Sequence, residues 1–352
     1  MMEKSLELMT DADFGLNGKI KTWPEDFLVE EVWNKRVYRT DVSLLNNFRN
    51  RFSILLKKKQ DYLHFTLVKR NWNTIKAVRH IAKRLHVSLK RFGYSGNKDK
   101  RAITAQRVSA WKIDEKRLLH LKTRDLWIKD LDYSKNRINL GEASGNRFNV
   151  VIREIPMSKS KINVKIKKFN ELISNEGIPN FFGPQRIGRS GDNVRIGQAI
   201  LDGNLKLATD HLLQKIEPFL NEGDVQKIPD IFWPEKAVYI HLISHPNDHA
   251  GALRRIPKKL LRIFTHSVQS QQFNDKLKEA ILKGNVPEEI QVQGFKVNKM
   301  PELSTRTISR KSYIFAKEFK ILKVENGIAK IQFILDKGQY ATTVLSYLVE
   351  LT

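Results

Sequence analysis

The stretch GYSGNKDKRAITAQ, residues 93–106, is where the reading of this chain begins. Gly93, Gly96 and the Asn97–Asp99 run carry turn chemistry and no period-2 alternation, so residues 91–104 are expected as a loop rather than a strand. Within it one carboxylate, Asp99, stands beside Lys98, Lys100 and Arg101. Nearby cations favour the charged form of a carboxylate. Such a group at the floor of a basic groove can act as nucleophile or base on a bound nucleotide. The same residues also suit a plain turn in which Asp99 caps the chain and pairs with neighbouring lysines.

The surroundings of this loop are strongly basic. From Arg49 to Arg101 there are 16 Lys or Arg against two acids, Asp61 and Asp99, a balance of +14 within a chain whose formal net charge is +25. An ordinary solvated surface mixes both signs, so the window reads as a surface for a polyanion, nucleic acid first. The 352 residues favour two domains, and 41% hydrophobic content is enough for a core. With no cysteine, disulfides and thiolate metal sites are excluded. No apolar run is long enough to span a bilayer, and the acidic N-terminus lacks a signal-peptide core, so a soluble, cytoplasmic protein is expected.

Outward from the loop, strands alternate with helices without a regular βαβα rhythm. Phe27, Val29 and Glu31 share one face of a strand after a turn at Pro24, and Leu63, Phe65 and Leu67 share one face of a strand over residues 62–68. Asn73 or Thr74 can cap a helix with Ile75, Val78, Ile81, Ala82 and Leu85 inward and Lys76, Arg79 and Lys83 outward. Further strands are expected at 106–113 and 147–153, a helix at 162–173, and an Asn326-Gly327 hairpin between 320–324 and 328–335. The segment 180–309 is richer in proline and loops and reads as its own unit. The class is therefore α+β. No phosphate-binding or dinucleotide-binding glycine motif occurs, so no nucleotide cofactor is expected.

Other constellations are less specific. Asn146 and Phe148, two apart on a strand, would offer an amide and a ring to an unstacked base, or Phe148 would simply open the core face that Val150 and Ile152 continue. His241, His245 and His249 are broken by Pro246 and read as loop histidines, with no metal site. Phe181, Phe182, Arg186, Arg189 and Arg195 could dock two domains or line an RNA groove.

Taken together, the stretches resemble the TruD family of tRNA pseudouridine synthases. GYSGNKDKRAITAQ is similar to that family's G-x-K-D-x-x-A-x-T-x-Q signature. PEDFLVEE (24–31), GNRFNVVIR (145–153), PNFFGPQRIGR (179–189), QSQQFN (269–274) and KGQYATTVL (337–345) follow in the family's order. The resemblance implies a pseudouridine synthase core with a mixed, largely antiparallel sheet and flanking helices, formed by residues 1–178 plus 310–352, and an inserted TRUD α+β domain at 179–309. It implies Asp99 as the catalytic carboxylate, Lys21 and Asn146 as its support, and Phe148 stacked on the target uracil. It also implies isomerisation of the uridine at position 13 without cofactor or metal, and the basic residues Lys76, Arg79, Lys83, Lys98, Lys100, Arg101, Arg186 and Arg189 are then expected to hold the tRNA. The alternative is a non-catalytic RNA chaperone or ribosome-assembly factor using the same basic surface.

Overall fold

The computed structural model describes residues 14–42, 57–188, 190–220 and 225–350. Arg49, Arg51 and Arg189 lie outside the described residues. The chain divides into two compact units, Pro179–Tyr313 and the described residues on either side of it.

In the flanking unit, one sheet is formed by β1 (Phe27–Trp33), β2 (Arg36–Val37), β3 (Tyr62–Arg70), β4 (Phe92–Tyr94), β5 (Ile103–Trp111), β6 (Leu126–Ser134), β7 (Gly145–Ile152), β8 (Lys317–Glu325) and β9 (Ile328–Asp336). Their order is β8-β9-β7-β1-β5-β3-β6, with β2 added to β1 and β4 to β5. Only the β1–β5 pair is parallel, so the fold is mixed α+β with a largely antiparallel sheet, as the sequence implies.

Alternation decides which side of each strand is buried. On β9, Ala329, Ile331, Phe333 and Leu335 are all fully buried, and the turn into it places Gly327 at a φ of +75°. Helix α1 (Thr74–Arg84) starts where the Asn73 side chain accepts from Ile75 N at 2.9 Å, a cap worth about 1 kcal/mol. It buries Ala77, Val78, Ile81 and Ala82 over β3 and β5. Helix α2 (Lys159–Glu171) covers β7, β1 and β9 with Ile162, Ile166 and Phe169. It ends in a wider turn, Leu172–Glu176, before Gly177 at φ +78°.

Two details differ from the sequence expectation. Phe92–Tyr94 is a strand, because buried Phe92 pairs with Ala110 and carries the backbone alongside β5. Strand β3 also runs on to Arg70, with Lys69 fully buried inside it.

The unit Pro179–Tyr313 is mostly helical, and its longest helix is Lys258–Leu282. One core gathers Ile196, Ile200, Leu212, Val238, Leu253 and Phe264. A second gathers Phe182, Phe273, Leu277, Ile290 and Val292. Among the described residues no helix is long and apolar enough to cross a membrane.

Candidate active site

Strand register alone brings together most of the site. Phe333, Phe148, Val29, Thr104 and Lys69 are successive cross-strand partners, and Cα partners point to the same face. One step along, Asn146 opposes Glu31, and Gln106 opposes Leu67. This face carries two separate apolar clusters, one under α2 and one under α1. Between them runs a polar belt of Asn146, Glu31, Thr104, Gln106 and Lys69.

The loop 95–102 lies against that belt and is fastened to it by side chains. Gln106 Nε2 donates to Gly96 O at 3.0 Å, and Lys98 N donates to Thr74 Oγ1 at 3.0 Å. Thr74 Oγ1 itself donates to Gln106 Oε1 at 2.9 Å, which links the two anchors. Lys69 Nζ donates to the backbone oxygens of Trp72 and Asp99, both at 2.7 Å. These groups fix the main chain of Asp99 while leaving its side chain 47% exposed.

Among the described residues the Asp99 carboxylate forms its ion pair with Lys21, whose Nζ donates to Oδ1 at 3.2 Å. The same ammonium sits 4.1 Å from the centre of the Phe27 ring. Lys21 reaches this position through a left-handed backbone, φ +57°. Its segment is held by reciprocal Lys19–Arg153 backbone hydrogen bonds of 2.8 and 2.9 Å. Lys19, the other lysine near this motif, pairs instead with Glu154. A half-exposed carboxylate on an immobilised main chain, with one ammonium beside it and a polar belt behind it, can attack or deprotonate a ligand presented from solvent.

The remaining expected residues fall out differently. Asn146 lies on the same face as Glu31, and its Oδ1 is buried without a hydrogen-bond partner. Buried polar atoms usually find a partner, so this acceptor and the equally unpaired Thr104 Oγ1 mark where the belt has unused polar capacity. Phe148 is only 5% exposed. Its ring stacks on Phe333 at 5.5 Å and packs against Phe27 at 6.1 Å. Phe148 thus takes part in the core, as the second of the two readings of its sequence has it, and its neighbour Phe27 carries the contact to Lys21. Replacing Phe148 with Ala is expected to cost roughly 3–5 kcal/mol of stability, read as a lowered urea midpoint. A midpoint unchanged from the parent would contradict this placement.

Among the expected phosphate contacts, Lys76, Arg79 and Lys83 are exposed on the outer face of α1, and Lys100 and Arg101 are exposed on the loop. Lys98 is corrected. Its side chain is 9% exposed, and its Nζ donates to Glu31 Oε1 at 2.7 Å, so it is a tie within the site rather than a free contact. In the other unit, Arg186 lies 5.7 Å from the Phe182 ring centre, and Phe182 is itself buried against Phe273. His241 is on a helix, Trp233–Ser244, rather than in a loop, because Pro246 interrupts the chain only beyond its end. Its Nε2 meets Asp248 Oδ2 at 2.9 Å, and Arg255 Nε donates to its Nδ1 at 3.1 Å.

Sequence reasoning passed over Glu31, Lys69, Thr74 and Gln106 as site residues. Glu31 Oε2 also accepts from Arg107 N and Trp33 Nε1, both at 2.8 Å. The available signal was a charge at an inward strand position, which burial penalises unless a partner waits there.

The family described as tRNA pseudouridine synthase D (TruD) matches residues 5–289. A protein of Methanosarcina barkeri named "Probable tRNA pseudouridine synthase D" is 34% identical over 295 residues, covering 78% of this chain and 62% of its own length. The chain likewise spans 59% of the relative in Methanosarcina acetivorans. "Probable tRNA pseudouridine synthase D 1" of Methanocaldococcus jannaschii is 28% identical and is matched over 97% of both chains. A crystal structure from Methanosarcina mazei, assigned to tRNA pseudouridine synthase D, superposes with a TM-score of 0.69 at 25% identity, covering 96% of this chain and 94% of that one. The matched family, these relatives and the shared fold place the chain in the tRNA pseudouridine synthase D (TruD) family.

Proposed function

We propose that this protein isomerises uridine to pseudouridine in tRNA, at position 13, with Asp99 as the catalytic carboxylate. The observation that carries the reading is the Asp99 side chain, open to solvent and paired with Lys21, on a loop whose main chain is tied to the sheet. The reaction breaks the C1′–N1 bond, turns the uracil and forms a C1′–C5 bond; the C5 proton is lost and N1 gains one. It is redox-neutral and needs no energy input, so a carboxylate and a binding surface suffice.

A base inside a helical stem must leave its stack to reach Asp99. Asp99 then attacks C1′ or removes the C2′ proton to give a glycal. Lys21 holds the carboxylate in place, and Asn146 orients Asp99 or the edge of the base. The RNA backbone would lie along Lys76, Arg79, Lys83, Lys100 and Arg101, and Arg186 and Arg189 are proposed as RNA contacts of their own unit. That unit, Pro179–Tyr313, is proposed as the family's inserted domain, and the remainder as the catalytic domain.

Tritium release from tRNA carrying 5-tritiated uridine tests the reading. Stoichiometric release of about one tritium per tRNA is expected, and none would overturn it. Binding to tRNA should weaken steeply with salt, and Lys76→Ala or Arg79→Ala should each flatten the log–log slope by about one. Filter binding across a salt series measures this; slopes identical to the parent would remove α1 from the interface.

A further inference from the structure

We infer that Lys69 is a positioning residue for Asp99, a buried ammonium clamp that sets where the carboxylate stands. This rests on the proposed reaction and deepens it. Lys69 lies inside β3, fully buried, on the same sheet face as Thr104. An ammonium has three N–H donors and a fixed reach. Here all three are directed at main-chain oxygens: Trp72 O at 2.7 Å, Asp99 O at 2.7 Å and Lys98 O at 3.4 Å. One side chain thereby fastens the turn that opens α1 to the two residues at the centre of the loop.

A buried, uncompensated charge is expensive, and an apolar residue would fill β3 at less cost to folding. Among the described residues Lys69 forms no ion pair; the carboxylate that acts on its charge, Asp99, is paired with Lys21. What its charge provides is local: it orients the Lys98 and Asp99 carbonyls and adds positive potential beneath the carboxylate. The charged groups facing it are Asp99 and Lys98 of the loop. Its register neighbours, Thr104 on β5 and Leu126 on β6, and Trp72 of the turn carry no charge. Burial lowers its pKa from 10.5 to about 8, and Asp99 opposes the shift while Lys98 adds to it. The clamp is therefore fully charged well below pH 8 and loses its third donor and its charge as pH rises through that value.

The test compares the parent, Lys69→Met and Lys69→Arg in single-turnover pseudouridine formation at saturating tRNA across pH 6–10, with tRNA affinity and thermal unfolding alongside. Lys69→Met is expected to lower the rate on the order of 10²-fold, the typical penalty of a misplaced reacting group, with affinity retained. Lys69→Arg, which stays charged throughout, should recover part of that rate and lack the parent's decline above pH 8. Uridine ionisation is common to all three enzymes, so the difference between profiles is the readout. If Lys69→Met fails to fold, the comparison of parent with Lys69→Arg decides. Unchanged rates in the folded variants, or an alkaline decline that Lys69→Arg shares with the parent, would overturn the clamp. A parent enzyme inactive at every pH would instead overturn the proposed function.

Discussion

Asp99→Asn is expected to abolish detectable pseudouridine formation, a loss of at least roughly 10²–10⁴-fold, while leaving tRNA affinity near that of the parent. The argument is local. The ties that hold the loop reach its main chain or the Lys98 side chain: Lys69 to Asp99 O, Thr74 to Lys98 N, Gln106 to Gly96 O, and Glu31 to Lys98 Nζ. An Asn at 99 keeps all of them and loses only the charge facing Lys21. Phosphate contacts from α1 and from Lys100 and Arg101 are untouched, so binding should persist. Rapid-quench turnover paired with filter binding measures both. Retained turnover would refute the catalytic role and restore the reading of a non-catalytic RNA-binding factor, which tolerates this substitution.

Glu31→Ala is expected to cost about 3–5 kcal/mol of stability, the usual consequence of leaving a buried charge without its partner. Glu31 is fully buried and answers three donors, Lys98 Nζ, Arg107 N and Trp33 Nε1. Removing it strands all three, and the ammonium is the costliest of them. The double variant Glu31→Ala with Lys98→Met should regain part of the loss, because the unpaired cation goes with it; non-additivity of that kind marks direct coupling. Urea denaturation of the four corners of the cycle gives the coupling energy. Additive losses would mean that the pair does not act as one, and a near-neutral Glu31→Ala would mean that the ion pair does not form in solution.

The sequence showed the strands where alternation was clean, as in Leu63, Phe65 and Leu67 or Ala329, Ile331 and Phe333, and it showed the α1 start through Asn73. It underread Phe92–Tyr94 because three residues carry no period. It also underread Lys69, because a charged residue in a strand looks like its end until a partner 30 positions away is known. The Asp99 loop was legible as a motif, but its fastening was not: Glu31, Lys69 and Gln106 come from three strands and Thr74 from the start of α1, which only the folded sheet and the helix over it bring together. The two lysines near the first motif, Lys21 and Lys19, are separated by what each one meets, Asp99 for Lys21 and Glu154 for Lys19. The burial of Phe148 and Lys98 was illegible for a shared reason. A ring beside an amide and a lysine beside an aspartate both look available until neighbouring strands cover them.

The most direct test of the account is chemical mapping of pseudouridine in a tRNA transcript incubated with the parent enzyme and with Asp99→Asn. A new modification at position 13 with the parent, and an unmodified transcript with the variant, is the predicted result. A transcript left unmodified by the parent, or modified equally by both, would contradict it.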